Sequence, residues 1–224
     1  INRNAGAGTR VLIDQLVAEA FDVAAPLVPL RGGPDDFVLQ LFHGPTAAFK
    51  DYGARFLAAC VRRLTGARGA VARARTVLVA TSGDTGAAVA AAFHGMPGVR
   101  VVVLYPDGRV SPRQAHQLGA FGDNVAALRV AGAFDDCQRL VKAAFADPEL
   151  ASLGLLSANS ISLGRLLPQL AYHAAAAWAA GRGGAAEIPS KQNTVKIGGV
   201  KSYRQSCRAA FMLTPRGGVK TRGR

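Results

Sequence analysis

Hydrophobic and polar residues follow two spacings along this chain, one typical of helices and one typical of buried strands. Apolar residues recur every three to four positions in four stretches, at residues 9–21, 52–64, 134–146 and 163–180. These stretches predict amphipathic helices. Short apolar runs predict strands at residues 37–42, 76–80, 99–105 and 125–130. Because strands and helices alternate, we predict an α/β fold in which helices flank a parallel sheet with right-handed crossovers.

The segment between the first helix and the first strand is rich in residues that interrupt regular structure. It contains Pro26, Pro29 and the cluster Gly32-Gly33-Pro34. Proline cannot donate a backbone hydrogen bond, and glycine accepts conformations that other residues avoid. We therefore predict a loop that leads into the strand at 37–42.

The formal net charge of +13 is spread unevenly. Residues 1–180 contain 17 Lys and Arg against 13 Asp and Glu, whereas residues 181–224 contain 10 against 1. The apolar spacing also stops after residue 180, so we predict that 181–224 is a disordered basic tail unrelated to the fold. The tail contains no recognisable nucleic-acid-binding module and only Tyr203 and Phe211 as aromatic residues. We expect no specific nucleic-acid partner.

The cysteines and the apolar runs bear on the cellular setting. Cys60, Cys137 and Cys207 lie far apart and form no CxxC pair that could hold zinc or carry out redox chemistry. The longest apolar run, 174–180, is too short to cross a membrane, and the opening INRNAGAG lacks the apolar core of a signal peptide. We expect a reduced, cytoplasmic protein without a membrane segment. Because the chain does not begin with methionine, we also expect that its N-terminus has been cut.

The strongest candidate for chemistry is Lys50, within the stretch LFHGPTAAFKDYG at residues 41–53. An amine attacks a carbonyl only in its neutral form, so reactive lysines are usually partly desolvated. Phe49 is an apolar neighbour, and two small alanines before it leave room for a flat ligand. The strand at 37–42 leads into this stretch, so we expect Lys50 near a strand end. A solvated surface lysine is the alternative that these residues alone leave open.

The second candidate is the TSGDTG stretch at 81–86, which joins the strand at 76–80 to a helix of small residues. Ligands of parallel sheets bind at the carboxyl ends of strands, and the first turn of a helix offers free N–H groups to a carboxylate or phosphate. Ser, Thr and Asp at such a place also serve as ordinary N-caps. Binding and capping both remain open for this stretch.

Two further polar stretches follow later strands. The strand at 99–105 is followed by PDGRVSP, in which Ser111 can cap a helix with Pro112 at its first position. Asn159 follows a short apolar piece that begins at Gly154. Asn159 could aim a hydrogen-bonding group into a site or cap the long helix after it, and the sequence leaves both open.

Together these stretches resemble the threonine synthases of the short bacterial and fungal type. Those enzymes lie within the pyridoxal-phosphate-dependent enzymes of fold type II, the tryptophan synthase β fold. LFHGPTAAFKDYG is similar to the family's lysine motif, and ATSGDTG is similar to its substrate-carboxylate loop. VLYPDGRVSPRQ and SANSISLGRLLPQ resemble two further signatures. The resemblance implies this α/β fold, with pyridoxal 5'-phosphate as the cofactor.

The resemblance also implies roles for individual residues. Lys50 would form the Schiff base with pyridoxal phosphate, and Asp51 would lie near the cofactor ring. The substrate carboxylate would be received by the loop residues Thr81, Ser82, Gly83, Asp84 and Thr85. The substrate side would be lined by Arg109, Ser111 and Asn159. Arg109 could contact the substrate phosphate or be a plain surface arginine.

The reaction implied by the resemblance converts O-phospho-L-homoserine and water to L-threonine and phosphate, as a lyase of threonine biosynthesis. The cofactor ring would act as electron sink while the freed Lys50 amine removes the α and then the β proton. Phosphate would leave from the γ carbon and water would add at the β carbon, with no metal needed. A threonine dehydratase-like enzyme would share the lysine and the carboxylate loop, but LFHGPTAAFKD and GRVSP favour threonine synthase.

The resemblance divides the chain into parts of a larger enzyme. Residues 1–75 would belong to a larger cofactor domain, 76–150 to a small α/β domain with the carboxylate loop, and 151–180 to a helix returning to the larger domain. After Gly181 nothing matches the glycine-asparagine-rich loop that grips the cofactor phosphate in this family, so the second domain would be incomplete. The long helix would then present apolar surface without a partner.

We therefore expect a truncated chain that binds pyridoxal phosphate weakly or not at all, because the charge-assisted hydrogen bonds to the cofactor phosphate would be missing. Little activity would follow. A noncatalytic relic or a nucleic-acid binder that uses the basic tail remains the alternative from another class. No pattern in the sequence indicates an oligomeric state.

Overall fold

The structure is a computed structural model of the 224-residue chain. It describes residues 7–30, 36–66, 74–159, 162–180, 212–214 and 218–220. The α-helices in these ranges are α1 (Ala7–Ala20), α2 (Lys50–Gly66), α3 (Asp84–Phe93), α4 (Pro112–Gly119), α5 (Phe134–Ala146) and α6 (Leu163–Ala180). The strands are β1 (Leu27–Pro29), β2 (Phe37–Leu39), β3 (Arg75–Ala80), β4 (Val99–Pro106), β5 (Val125–Val130), β6 (Leu155–Ser157), β7 (Met212–Thr214) and β8 (Gly218–Lys220). A 3₁₀ helix at Pro148–Leu153 precedes β6.

Four strands form a parallel sheet in the order β5-β4-β3-β6. The central strands β3 and β4 have the sequences RTVLVA and VRVVVLYP. Near-continuous valine and leucine is typical of parallel strands that are covered on both faces. The predicted parallel sheet with flanking helices is confirmed.

Successive side chains of the central strands point into two separate cores. On one face Val79 and Val103 pack with α2 and with α3 residues such as Phe93. On the other face Leu78 packs with Cys137 of α5. Helices α2 and α3 therefore cover one face of the sheet and α5 covers the other. This arrangement leaves the carboxyl ends of the strands free to form a site.

The prediction of a loop around Pro29 is wrong over the three residues of β1. This strand pairs antiparallel with β2, with Pro29 opposite Phe37. Leu27 and Phe37 are buried against α6, where they contact Ala176. The strand is stabilised by a helix far along the sequence, and proline is tolerated at the end of a small sheet. Neither cause is visible in the local pattern.

The sequence pattern predicted that Lys50 lies near the end of a strand, and this prediction is wrong. Lys50 is the first residue of α2. Strand β2 ends at Leu39, and the chain runs through bends and turns before the helix begins. The strand cannot continue through Gly44-Pro45, because proline has no N–H to donate to a neighbouring strand. The lysine is therefore positioned by a turn and a helix start.

Helix α6 has a buried face and an exposed face. The buried face includes Arg165, Tyr172, Ala176 and Ala179. The exposed positions are all apolar, namely Leu163, Leu166, Leu167, Leu170, Ala171, Ala174, Ala177 and Trp178. The apolar surface predicted for this helix is present. None of the helices in the described ranges, α6 included, combines the length and the apolarity of a membrane span.

Two short strands fall within the segment that was predicted to be a disordered basic tail. Strands β7 and β8 pair antiparallel, with Leu213 opposite Val219. The other residues of 181–224 lie outside the described part of the chain. The tail prediction is therefore addressed by the structure at these two strands alone.

Candidate active site

The turn ahead of Lys50 is fixed by the side chain of Asp51. Asp51 Oδ2 accepts a hydrogen bond from the Thr46 backbone N–H at 3.0 Å, and Oδ1 accepts one from the Thr46 hydroxyl at 2.6 Å. Gly44 lies so close that a Cβ there would be 2.3 Å from Asp51 Oδ2. Ala47, in the same turn, has a positive φ of 56°. The carboxylate therefore closes the turn at 44–48 and sets the position of the Lys50 backbone.

Asp51 is buried, with 1% of its surface exposed. Burial is the largest influence on this carboxyl group and raises its pKa, while the hydrogen bonds from Thr46 act in the opposite direction. Both carboxylate oxygens contact Thr46. The predicted place of Asp51 near the cofactor ring stays a prediction.

The first turn of α2 is also held against α6. Tyr52 is fully buried and donates its hydroxyl to the Ala24 carbonyl at 2.5 Å. Its ring meets the ring of Tyr172 edge-on, with 5.4 Å between centroids. Gly53 packs on the backbone of Arg165, where a Cβ would come within 2.8 Å of the Arg165 carbonyl oxygen. These contacts fix the direction in which Lys50 leaves the helix.

Lys50 reaches from the start of α2 to the start of α3. Its Nζ lies 3.4 Å from Oδ2 of Asp84, which is 34 positions later in the sequence. The same atom lies 4.4 Å from the centroid of the Phe49 ring. The side chains of Lys50 and Asp84 are 22% and 21% exposed, so the pair is accessible to a ligand yet partly withdrawn from water. The structure thus brings the lysine motif and the TSGDTG stretch together.

The TSGDTG stretch joins β3 to α3 through a turn built around the buried Thr81. The Thr81 hydroxyl accepts hydrogen bonds from the N–H groups of Gly83 (3.0 Å) and Gly86 (2.9 Å) and donates one to the Gly83 carbonyl (2.9 Å). Gly83 has a φ of 144°, a conformation that favours glycine. Thr81 is therefore a structural residue of the turn, and its hydroxyl makes all three hydrogen bonds available to it within the turn.

The first turn of α3 offers hydrogen-bond donors to a ligand. The N–H groups of Asp84 and Thr85 have no acceptor within the helix. Among the described residues no other acceptor reaches them or the N–H of the exposed Ser82. Free donors at a helix N-terminus bind carboxylates and phosphates, as predicted for this loop. The Asp84 carboxylate has the same charge as such a ligand, so its backbone, rather than its side chain, suits that role.

Gln114 is a residue of this site that was not predicted from the sequence. Its Nε2 donates to Asp84 Oδ1 at 2.7 Å, and its Oε1 accepts from the Ser111 N–H and hydroxyl, both at 3.1 Å. Ser111 Oγ accepts from the Gln114 N–H in return, which completes a capping box at the start of α4. The predicted cap at Ser111 is confirmed. The Ser-x-x-Gln spacing of that box was the signal that could have identified Gln114.

The other two predicted substrate residues lie outside this hydrogen-bonded group. Arg109 is exposed in the turn that follows β4. Asn159 is exposed after β6, which pairs with β3, so it lies at the same carboxyl end of the sheet as Thr81. Helix α6 begins at Leu163, so Asn159 does not directly precede it. The roles of Arg109 and Asn159 toward a substrate stay predictions.

Arg165 is a second residue that the sequence pattern did not single out. It is 1% exposed, and its guanidinium donates from Nη1 to the Ala158 carbonyl at 2.9 Å. Its Nε has no hydrogen-bond partner among the described residues. Burial lowers the pKa of Arg165 to about 10. Through Ala158 and Gly53 this residue connects the segment after β6 with the first turn of α2.

The chemistry of this group of side chains fits an aldehyde cofactor such as pyridoxal phosphate. An aldehyde needs an amine that a ligand can reach, and Lys50 supplies it beside the N–H donors at the start of α3. Asp84 supplies a carboxylate that can hold the amine as its ammonium ion. In the described part of the chain, no cluster of three or more His, Cys, Asp or Glu side chains could hold a metal ion.

Comparison with protein families and known proteins identifies relatives of this chain. Residues 24–163 match the family described as pyridoxal-phosphate dependent enzyme. Threonine synthase of Escherichia coli is 47% identical over 163 residues, which are 72% of this chain and 36% of that protein. Threonine synthase of Saccharomyces cerevisiae is 40% identical over 161 residues, which are 68% of this chain and 31% of that protein. The chain thus spans about a third of the length of these curated relatives.

Solved structures give the same result. The crystal structure of the Escherichia coli threonine synthase matches with a TM-score of 0.66 at 47% identity, covering 73% of this chain and 37% of that one. Pyridoxal-phosphate-bound threonine synthase from Brucella melitensis matches with a TM-score of 0.64 at 39% identity, covering 76% and 38%. These matches confirm the resemblance, the fold type and the cofactor predicted from the sequence. The chain belongs to the family of pyridoxal-phosphate-dependent enzymes.

Proposed function

We propose that this chain carries the catalytic lysine of a threonine synthase, which converts O-phospho-L-homoserine and water to L-threonine and phosphate. The observation that carries the proposal is the 3.4 Å contact between Lys50 Nζ and Asp84 Oδ2, in which the lysine motif meets the carboxylate loop. The similarity to threonine synthases over 72% of the chain supports it. A cytoplasmic location belongs to the same proposal, supported by the free thiols of Cys60 and Cys137.

Lys50 is the residue that binds the cofactor and moves protons. When bound, pyridoxal phosphate supplies an electron sink that stabilises negative charge on the substrate carbons. Lys50 Nζ takes the proton from the substrate α carbon and, once it has released that proton, takes one from the β carbon. Asp84 Oδ2 holds the resulting ammonium at the α3 side of the site. Phosphate leaves from the γ carbon, which takes up the proton lost by the β carbon. Water adds its hydroxyl group at the β carbon, its other proton ends on the released phosphate, and the α carbon regains its proton.

The start of α3 binds the substrate carboxylate. The free N–H groups of Ser82, Asp84 and Thr85 support this role, and the positive end of the helix dipole adds to it. Thr81 and Gly83 hold the loop backbone in the shape that presents these donors. The same proposal places Arg109, Ser111 and Asn159 along the substrate side, with Arg109 at the substrate phosphate, and Asp51 near the cofactor ring.

The domain division belongs to this proposal as well. Residues 1–75 serve as part of the cofactor domain, 76–150 as the small domain and 151–180 as the helix that returns to the cofactor domain. The packing of the first turn of α2 on Arg165 of α6 supports the link between the first and third of these parts.

The proposal is tested by covalent capture at Lys50. The full chain is incubated with excess pyridoxal phosphate, reduced with borohydride and mapped by peptide mass spectrometry. We expect the reduced adduct on Lys50 in clear preference to the exposed Lys142. Lys50→Arg abolishes this signal, whereas the matched variant Lys142→Arg leaves it unchanged. Equal labelling of Lys50 and Lys142 in the unmodified chain would contradict the proposal.

The strength of capture tests the expectation that this chain alone binds the cofactor weakly. Capture is measured against cofactor concentration beside the Escherichia coli threonine synthase, together with phosphate released from O-phospho-L-homoserine. We expect weaker saturation and little phosphate release from this chain. Stoichiometric capture with phosphate release at the rate of the longer enzyme would show that weak binding is wrong.

Substrate profiling separates threonine synthase from the threonine dehydratase alternative. A dehydratase forms a 2-oxo acid and ammonia from L-threonine, whereas the proposed activity forms L-threonine from O-phospho-L-homoserine. The similarity to threonine synthases favours the second outcome. Formation of a 2-oxo acid with Lys50 intact, and of no threonine, would favour the dehydratase.

A further inference from the structure

We propose that Gln114 is a positioning residue that holds Lys50 in place through Asp84. The three side chains come from the starts of α4, α3 and α2. Gln114 Nε2 lies 2.7 Å from Asp84 Oδ1, and Lys50 Nζ lies 3.4 Å from Asp84 Oδ2. Each carboxylate oxygen of Asp84 therefore has its own donor. The proposal rests on the proposed function only for the catalytic role of Lys50.

The chemistry of the neighbours fixes the orientation of the Gln114 amide. The Ser111 backbone N–H can only donate, so it must face the amide oxygen, which it meets at 3.1 Å. The ionised Asp84 carboxylate can only accept, so it must face the amide nitrogen. Glutamine satisfies both neighbours at once. Glutamate would satisfy Ser111 but would place a second carboxylate against Asp84.

The amide also has little freedom to move. A Cβ on Gly83 would lie 2.3 Å from Gln114 Nε2 and 2.4 Å from its amide carbon, so the side chain rests directly on the loop ahead of α3. A loose Asp84 carboxylate beside the N–H donors of Asp84 and Thr85 would repel a substrate carboxylate. Gln114 and Lys50 together occupy both of its oxygens and remove this conflict.

The first measurement needs no cofactor. Lysines of the cofactor-free full chain are acetylated competitively, and the rate at Lys50 is divided by the rate at the exposed Lys142 as internal standard. Gln114→Met removes both polar atoms at similar length, and Gln114→Glu keeps the acceptor toward Ser111 while adding negative charge. Gln117→Met and Gln117→Glu, one turn later on α4, make the same chemical changes away from Asp84.

The two variants at Gln114 are expected to act in opposite directions. Gln114→Met frees the Asp84 carboxylate to turn away from Lys50 and raises the relative acetylation of Lys50 about tenfold, the scale of a hydrogen bond to a charged group. Gln114→Glu adds a carboxylate that holds the ammonium more tightly and lowers it by a similar factor. The variants at Gln117 leave the ratio unchanged. If Gln114 merely capped α4, Gln114→Glu, which keeps the acceptor toward Ser111, would leave the Lys50 ratio unchanged, and that result would overturn the proposal.

The second measurement is the borohydride capture of pyridoxal phosphate at Lys50, which Gln114→Glu should reduce about tenfold. If acetylation responds as expected but the unmodified chain captures the cofactor on Lys142 as readily as on Lys50, the positioning role stands and the proposed function fails. If acetylation of Lys50 is the same in every variant, the positioning role fails whatever the capture shows. If circular dichroism shows that Gln114→Glu is unfolded, the uncharged Gln114→Met decides, and an unchanged Lys50 ratio in it overturns the proposal.

Discussion

Gly83 is the residue at which the loop before α3 has least tolerance for a side chain. Its φ of 144° is rarely adopted by other residues, and a Cβ would lie 2.3 Å from Gln114 Nε2. We expect Gly83→Ala to lower the free energy of unfolding by about 2–4 kcal/mol, because backbone strain adds to displacement of the amide. Urea unfolding measures the loss.

Gly95 provides the matched control for that substitution. It also has a positive φ, of 68°, but nothing lies within 4 Å of its Cβ position. Gly95→Ala should therefore lower the free energy of unfolding by about 1 kcal/mol, which is the cost of the backbone conformation alone. Equal losses for the two variants would show that the contact between Gly83 and Gln114 contributes nothing.

Asp51 should make the stability of the chain depend on pH. Burial raises its pKa in the folded state above the ordinary value of 3.8, so the folded chain holds this proton more tightly than the unfolded chain. The stability from this group is full below 3.8 and is lost as the pH rises through the folded pKa. Asp51→Asn removes the titration, and the asparagine can still bond to both Thr46 groups.

We therefore expect the unfolding free energy of the unmodified chain, relative to Asp51→Asn, to fall between about pH 4 and about pH 7. Urea titrations of both proteins at the two pH values give the difference. A difference that stays constant would mean that Asp51 ionises in the folded chain as it does in the unfolded one.

Among the elements, α6 should tolerate charge on one face and not on the other. Leu167 and Leu170 are 55% and 64% exposed, whereas Ala176 is fully buried. We expect the double substitution Leu167→Lys and Leu170→Lys to change the unfolding free energy by less than about 0.5 kcal/mol while reducing the binding of an apolar fluorescent dye. Ala176→Lys should lower the unfolding free energy by more than about 3 kcal/mol, because it buries an unpaired charge. Unchanged dye binding in the double variant would mean that this face is not the apolar surface that the dye recognises.

Elements whose signals are local were predicted closely from the sequence. Strand β5 and helix α5 have the predicted bounds, and Ser111 caps α4 as its spacing with Pro112 indicated. Strand β1 was missed because it depends on burial against α6. Lys50 was placed after a strand because the sequence does not show that Asp51 folds back on Thr46.

Site residues that belong to a sequence motif were predicted, whereas site residues that are defined only by a contact distant in the sequence were missed. Lys50 and the residues around Thr81 could be recognised as two separate stretches. Gln114 meets Asp84 across 30 positions, and no periodicity shows that two helix starts will face each other. Arg165 lies in a run of leucines, and its burial follows from the approach of α2 to α6.

For the whole molecule, the uneven charge predicts how it will interact with nucleic acids. Residues 181–224 hold 10 basic residues and a single acidic one. We expect weak binding to DNA of any sequence, which falls steeply with added salt and disappears when the chain is cut after residue 180. Fluorescence anisotropy at low and physiological salt measures this. Binding that survives the truncation would place a nucleic-acid site within residues 1–180.

The order of strands in the parallel sheet has a consequence for folding of the chain during its synthesis on the ribosome. Strand β3 pairs with β4 on one side and with β6, the last strand of that sheet to be synthesised, on the other. While β4 and β5 emerge, β3 keeps an open edge of unpaired N–H and C=O groups beside apolar side chains. Such edges recruit other chains, so aggregation or a chaperone competes with folding during this interval. Translation of residues 81–154, between β3 and β6, therefore sets how long the nascent chain is exposed to that competition.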